Sequence, residues 1–140
     1  MCGFVVWYNK KNRIDTKKLE KAISLQNHRG PDFSSSLYFD KNFNKTKKKE
    51  KIRLAFAHKR LSIIDLSKNS NQPYQEKGSN DCLVYNGEIY NYLELKKELL
   101  GNTFFSSGDT EVLYKILRKK KNNFMTDLIG MWSFVFFLFK

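Results

Sequence analysis

Apolar residues recur along this chain in two spacings, and the change from one to the other marks out its elements. Phe4, Val5, Val6, Trp7 and Tyr8 form a short aromatic and β-branched run that predicts a buried strand over residues 3–8. Leu19, Ala22, Ile23 and Gln26 keep to one side of a helical period. They predict a helix capped by Asp15 or Thr16 and stopped by Arg29-Gly30-Pro31. Leu37-Tyr38-Phe39 and residues 52–57 flank a Lys/Asn-rich stretch, which predicts a hairpin whose tip, residues 41–51, is solvated and dispensable. Two more strand-like runs, 61–66 and 82–85, are joined by a polar segment containing Gln72-Pro73. Asn91 with Glu94 resembles a capping box before a helix carrying Leu95, Leu99 and Leu100, ended by Gly101-Asn102. A further helix opens near Asp109 or Thr110 with Val112, Leu113, Ile116 and Leu117 on one face, and after Gly130 the pattern returns to strand. Strands interrupted by grouped helices predict a layered α+β sandwich rather than regular βαβ alternation, and no internal repeat is visible.

The length of 140 residues suits one domain spanning residues 1–140, and hence one active site at most. Hydrophobic residues at 41% and aromatics at 15% exclude a disordered chain. A net charge of +12 first suggests a polyanionic partner. The excess lies in three stretches, residues 10–21, 41–53 and 118–121, where Lys alternates with Asn and no basic array at helical spacing is set among stacking aromatics. That distribution favours a solvated basic surface over a nucleic-acid site. Cys2 and Cys82 have no Cys or His neighbour at metal-ligand spacing, so neither a zinc site nor a disulfide framework is expected. The zones of a signal peptide are absent, and the apolar stretch 131–139 is too short to span a bilayer, which leads us to expect a cytoplasmic protein without a membrane partner.

Cys2 follows Met1 directly. Removal of Met1 would join a thiol and a free α-amine in one residue, with reference pKa values of about 8.5 and about 7.7 to 8.0, so that nucleophile and base coincide. Taken alone, Cys2 reads more readily as a buried or incidental cysteine near a terminus. His28 and His58, the only histidines, leave a Cys–His pair open. Asn86-Gly87 between apolar residues could be a type I′ hairpin turn. These readings narrow when further segments are taken in order: His28-Arg29-Gly30-Pro31-Asp32, Ala57-His58-Lys59-Arg60-Leu61-Ser62-Ile63-Ile64-Asp65, Tyr85-Asn86-Gly87-Glu88-Ile89-Tyr90-Asn91 and Ser107-Gly108-Asp109-Thr110-Glu111. With Met1-Cys2-Gly3 before them and Gly130-Met131-Trp132-Ser133-Phe134 behind, they resemble the N-terminal glutaminase domain of glutamine-hydrolysing asparagine synthetases, over nearly the whole chain.

The resemblance implies an N-terminal-nucleophile hydrolase, a four-layer αββα sandwich, and a set of roles. Cys2 would attack the carboxamide of L-glutamine, giving a thioester and ammonia, and water would release glutamate. Asn86, by its side-chain amide, and Gly87, by its backbone N–H, would hold the oxyanion. Arg60 would take the substrate α-carboxylate and Asp109 its α-ammonium, while Leu61, Ser62, Ile63 and Ile64 would line the pocket and Glu88 would touch glutamine after the oxyanion pair. Residues 29–32 would form a loop beside the nucleophile or simply a turn. Cys82 is expected to be buried and inert, and Trp7, Trp132, Phe136, Phe137 and Phe139 to belong to the core. The glutaminase step would need no cofactor or metal. ATP and Mg would serve only a synthetase domain, and no Ser-Gly-Gly pyrophosphate loop occurs here, so a separate synthetase polypeptide is an expected partner. Two departures stand out. Val5, Val6 and Trp7 occupy the region where the family has a second glycine, and the family continues past the Gly130 segment into more strands, so the sandwich is expected to lack its last strands and the chain to be weakly active or inactive alone.

Overall fold

The computed structural model describes residues 1–120 and 124–139. Lys121, in the third basic stretch, and Lys140 fall outside them. Two compact units divide the chain: Met1–Leu61 together with Phe139, and the segment from Ser62 to Leu138.

The first unit is a three-stranded antiparallel sheet, β1 (Gly3–Tyr8), β2 (Phe33–Phe39) and β3 (Leu54–Arg60), in the order β1-β3-β2. Helix α1 (Thr16–Ser24) packs on it. The central strand is buried on both faces, which explains why its sequence shows no polar alternation. Ala55 and Ala57 are small enough to admit Leu19 and Ile23 of α1, while Leu54, Phe56 and His58 point the other way and are equally buried. Asp15 caps α1 by accepting hydrogen bonds from the backbone N–H groups of Lys17 and Lys18. The helix ends at Ser24, earlier than the Arg29-Gly30-Pro31 stop that its sequence predicts. Leu25 is exposed, and Gln26 swings its amide to the Phe4 carbonyl, so no apolar face remains to extend. The β2–β3 hairpin has its expected solvated tip, in which the Asp40 carboxylate gathers the N–H groups of Asn42 and Asn44.

The second unit pairs β4 (Cys82–Ile89) antiparallel with β5 (Gly130–Phe137), and α2 (Tyr92–Glu98) and α3 (Asp109–Lys119) cover one face. Leu83, Tyr85 and Ile89 from β4 pack with Leu95, Leu99, Val112, Leu113, Tyr114 and Ile116, all close to fully buried. Trp132, Phe134 and Phe136 of β5 lie against this core but are only partly covered, and among the described residues β5 has a strand neighbour on one side only. Cys82 is buried on β4 as expected.

Three expectations need correction. Residues 61–66 form no strand; Ile63 and Leu66 are largely exposed, and the backbone there is committed to a loop held by Asp65. The strand starting at Cys82 does not stop at Tyr85 but runs through Asn86, Gly87 and Glu88 to Ile89, because β5 supplies a partner for every one of those positions. Asn91 precedes α2 without capping it: its side-chain amide instead donates to the Asp127 carbonyl and accepts from the Ile129 N–H, tying the approach to β5. Each unit is thus a helix layer on a sheet layer, an α+β construction. No helix among the described residues is long and apolar enough to cross a membrane.

Candidate active site

Cys2 lies one residue before β1, in the first unit, where the β1–β3 ladder has just ended at Gly3 opposite Lys59. Its Sγ accepts a hydrogen bond from the Leu61 N–H at 3.4 Å and donates towards the Leu61 carbonyl at 3.7 Å. Its carbonyl accepts from Arg29 Nε at 2.9 Å. A β-carbon on Gly30 would stand 2.5 to 2.7 Å from the backbone of Lys59 and Arg60, so glycine lets the Arg29 loop lie flat on the end of β3. Asp32 N–H to Arg60 C=O, 3.1 Å, pins the far side of that loop. Cys2 is therefore held by the Leu61 peptide at its sulfur and by the Arg29 side chain at its carbonyl. Arg60 is buried rather than a surface arginine. Cys2 makes no hydrogen bond to either histidine: His58 is buried within β3 and His28 is exposed. This removes the geometric basis for a Cys–His pair.

In the second unit three carboxylates organise the candidate residues. Asp65 accepts from the Ser67 N–H at 2.7 Å, the Ser70 hydroxyl at 2.9 Å and the Ser107 N–H at 2.9 Å, which joins the loop carrying Ser62, Ile63 and Ile64 to the Ser107-Gly108-Asp109 turn. Burial pushes the Asp65 carboxyl up, but these hydrogen bonds outweigh it and hold the group well below the usual carboxylate range. Glu111, fully buried, accepts from the N–H groups of Phe105 and Ser106 and from the Ser106 hydroxyl, fixing the strap that leads into α3. Asp109, the first residue of α3, does not cap the helix. Its Oδ2 accepts from the Tyr85 hydroxyl at 2.7 Å and the Ile89 N–H at 3.1 Å, reaching β4 on both sides of Asn86-Gly87-Glu88. Its Oδ1 accepts nothing, and the carboxylate has no cationic partner among the described residues, although the residue is only 7% exposed.

Asn86 and Gly87 lie inside β4, opposite Ser133 and Trp132, and form no hairpin turn. Gly87 has φ 155°, and a β-carbon there would collide with the Met131 carbonyl and come within 2.6 Å of Trp132 Cα, so only glycine fits. The Asn86 side-chain oxygen is buried without a hydrogen-bond donor, and among the described residues the amide has no protein partner. Glu88 is exposed on the same strand. Among the described residues no group of three or more His, Cys, Asp or Glu stands together as a metal site. The roles of Asp65 and Glu111 were missed in the sequence, although both fall inside the quoted motifs. Their signal was an acidic residue beside Ser-rich loop segments, which is too common to single out.

The glutamine amidotransferase domain profile matches residues 1–139, and the chain belongs to that family. It is 38% identical, over 96% of its length, to asparagine synthetase [glutamine-hydrolyzing] 1 of Bacillus subtilis, and 33% identical, over 98%, to asparagine synthetase B [glutamine-hydrolyzing] of Escherichia coli. It spans only 20% and 23% of those two proteins. The solved glutamine phosphoribosylpyrophosphate amidotransferase of B. subtilis superimposes with a TM-score of 0.70 over 98% of this chain and 35% of that one, at 19% identity. The fold is therefore the N-terminal-nucleophile hydrolase fold of glutamine amidotransferases.

Proposed function

We propose that this chain hydrolyses L-glutamine to glutamate and ammonia, with Cys2 as nucleophile after removal of Met1. The observation that carries it is Asn86-Gly87 held inside a strand by Gly87's backbone geometry, with the Asn86 side-chain amide bonded to no other described residue. In this reading the Asn86 amide and Gly87 N–H stabilise the oxyanion as the Cys2 sulfur adds to the carboxamide carbon. The α-amine of Cys2 takes the thiol proton and passes it to the departing ammonia. Water then attacks the thioester and the thiol is restored. Arg60 pairs with the substrate carboxylate, Asp109 with its ammonium, and Leu61, Ser62, Ile63, Ile64 and Glu88 complete the pocket. The step draws on no cofactor or metal.

The ammonia would serve asparagine synthesis, with ATP and Mg used by a synthetase region outside these residues. The matched relatives' names support this destination, and the cytoplasm is the compartment it requires. Purified chain beginning at Cys2 should release glutamate from glutamine, and Cys2→Ala should lower the rate by ~10³-fold or more. A variant with one extra residue before Cys2 should be equally inactive, because its amine becomes a peptide nitrogen. Full turnover by either variant would overturn the mechanism.

A further inference from the structure

Asp109 has two carboxylate oxygens in different circumstances, and the difference has a cause within the second unit. Oδ2 is saturated by two donors, the Tyr85 hydroxyl at 2.7 Å and the Ile89 N–H at 3.1 Å, while Oδ1 receives none among the described residues. Tyr85 is 2% exposed and its ring belongs to the core shared by β4 and α3, so its hydroxyl cannot swing to another partner without unpacking that core. Ile89 donates from the backbone of a paired strand and is equally fixed. The two donors grip one oxygen from either side of Asn86-Gly87-Glu88, which fixes the rotation of the carboxylate and leaves the second oxygen as the acceptor still free. Among the described residues no cation stands beside this carboxylate, so Oδ1 is open to an incoming one.

We propose that Tyr85 is a positioning residue for specificity: its hydroxyl occupies Asp109 Oδ2 so that Oδ1 is presented to the α-ammonium of the substrate. This rests on glutamine being the substrate and on Asp109 facing its ammonium. In this reading Tyr85 acts through Asp109 and takes no part in the reaction at the carboxamide. Its removal therefore acts on ground-state recognition of the amino group and leaves the chemical step alone. A ligand with the same carboxamide and carboxylate but no α-amine, glutaric acid monoamide, gains nothing from Asp109 and is indifferent to how that carboxylate is turned.

The test compares Tyr85→Phe with the unaltered chain, both beginning at Cys2, on L-glutamine and on glutaric acid monoamide, following released ammonia. Phe keeps the ring in the core and deletes only the hydroxyl. The KM for glutamine should rise about tenfold, the weight of one hydrogen bond to a charged group, with kcat within about twofold, and kcat/KM for the monoamide should be unchanged. An equal loss on both compounds would mean that Tyr85 merely supports the fold, and no loss on glutamine would mean that Asp109 needs no such grip; either overturns the proposal. Calorimetric binding of the two compounds to Cys2→Ala, with and without Tyr85→Phe, makes the same comparison without turnover. If the unaltered chain cleaves glutamine but Tyr85→Phe is indistinguishable from it, only the role of Tyr85 falls. If the unaltered chain neither cleaves nor binds glutamine, the functional reading falls and takes this one with it.

Discussion

The candidate residues of the first unit and those of the second are held by different physics. Cys2 is located mostly by main-chain groups: the Leu61 peptide on its sulfur, its own carbonyl held by the Arg29 side chain, and Gly30 pressed against the end of β3. The substrate-binding candidates from Ser62 onward are located by buried carboxylates, each collecting several donors: Asp65, Asp109 and Glu111. Backbone packing tolerates little displacement but is indifferent to pH. Carboxylate networks hold loops that have few apolar contacts of their own, at the price of depending on ionisation. If Cys2 is the nucleophile as proposed, it has the first kind of support, and the candidate recognition loop has the second.

The comparison breaks most sharply at Gly30. Gly30→Ala puts a β-carbon into backbone, with no flexible side chain to yield, and should destabilise the chain by about 2–3 kcal/mol in urea unfolding and reduce glutaminase turnover with it. A shift below about 0.5 kcal/mol would mean that the Arg29 loop is not a rigid platform. Asp65→Asn should be milder, on the order of 1–2 kcal/mol, since hydrogen bonds survive in part while their charge is lost. It should raise the KM for glutamine more than it lowers kcat. The Asp65 carboxyl has a folded pKa below its unfolded value of about 4, so its stabilisation is fully present above that value and is lost as pH falls through the folded one. Unfolding midpoints of the unaltered chain and Asp65→Asn should therefore converge as the pH is taken below 4, and parallel curves would assign the stabilisation elsewhere. Smallest of all, Lys47→Ala, Lys48→Ala and Lys49→Ala together, on the exposed tip, should alter stability by less than about 0.5 kcal/mol and leave turnover unchanged. A larger effect would show that the tip is not dispensable.

Periodicity alone located α1, the β2–β3 hairpin, α3 and the strand after Gly130, because each buries a regular apolar face that propensity and pattern both favour. It failed over residues 61–66, where Leu61, Ile63, Ile64 and Leu66 look like a strand yet have no partner to pair with; three donors to one carboxylate decide the conformation instead. It also stopped β4 too soon, since Asn86-Gly87 has the composition of a turn and only the pairing with β5 keeps it extended. Cys2, Arg60, Asn86, Gly87 and Asp109 could be named as candidates from ordered motifs. The supporting grip of Tyr85, Asp65 and Glu111 could not, because it depends on contacts between residues 24, 42 and 5 positions apart, and sequence order says nothing about which pairs meet.

The margin of the second sheet carries a cost in handling. Trp132, Phe134 and Phe136 lie partly covered along a strand with one strand neighbour among the described residues, near exposed Ile129 and Met131, a surface that adheres to its own kind. Mutual repulsion between molecules of charge +12 keeps such surfaces apart in dilute buffer. That protection shrinks with the Debye length, from about 10 Å at 0.1 M salt to about 3 Å at 1 M. The high-salt steps that rid basic proteins of contaminating nucleic acid are thus the ones in which this chain is most prone to clump.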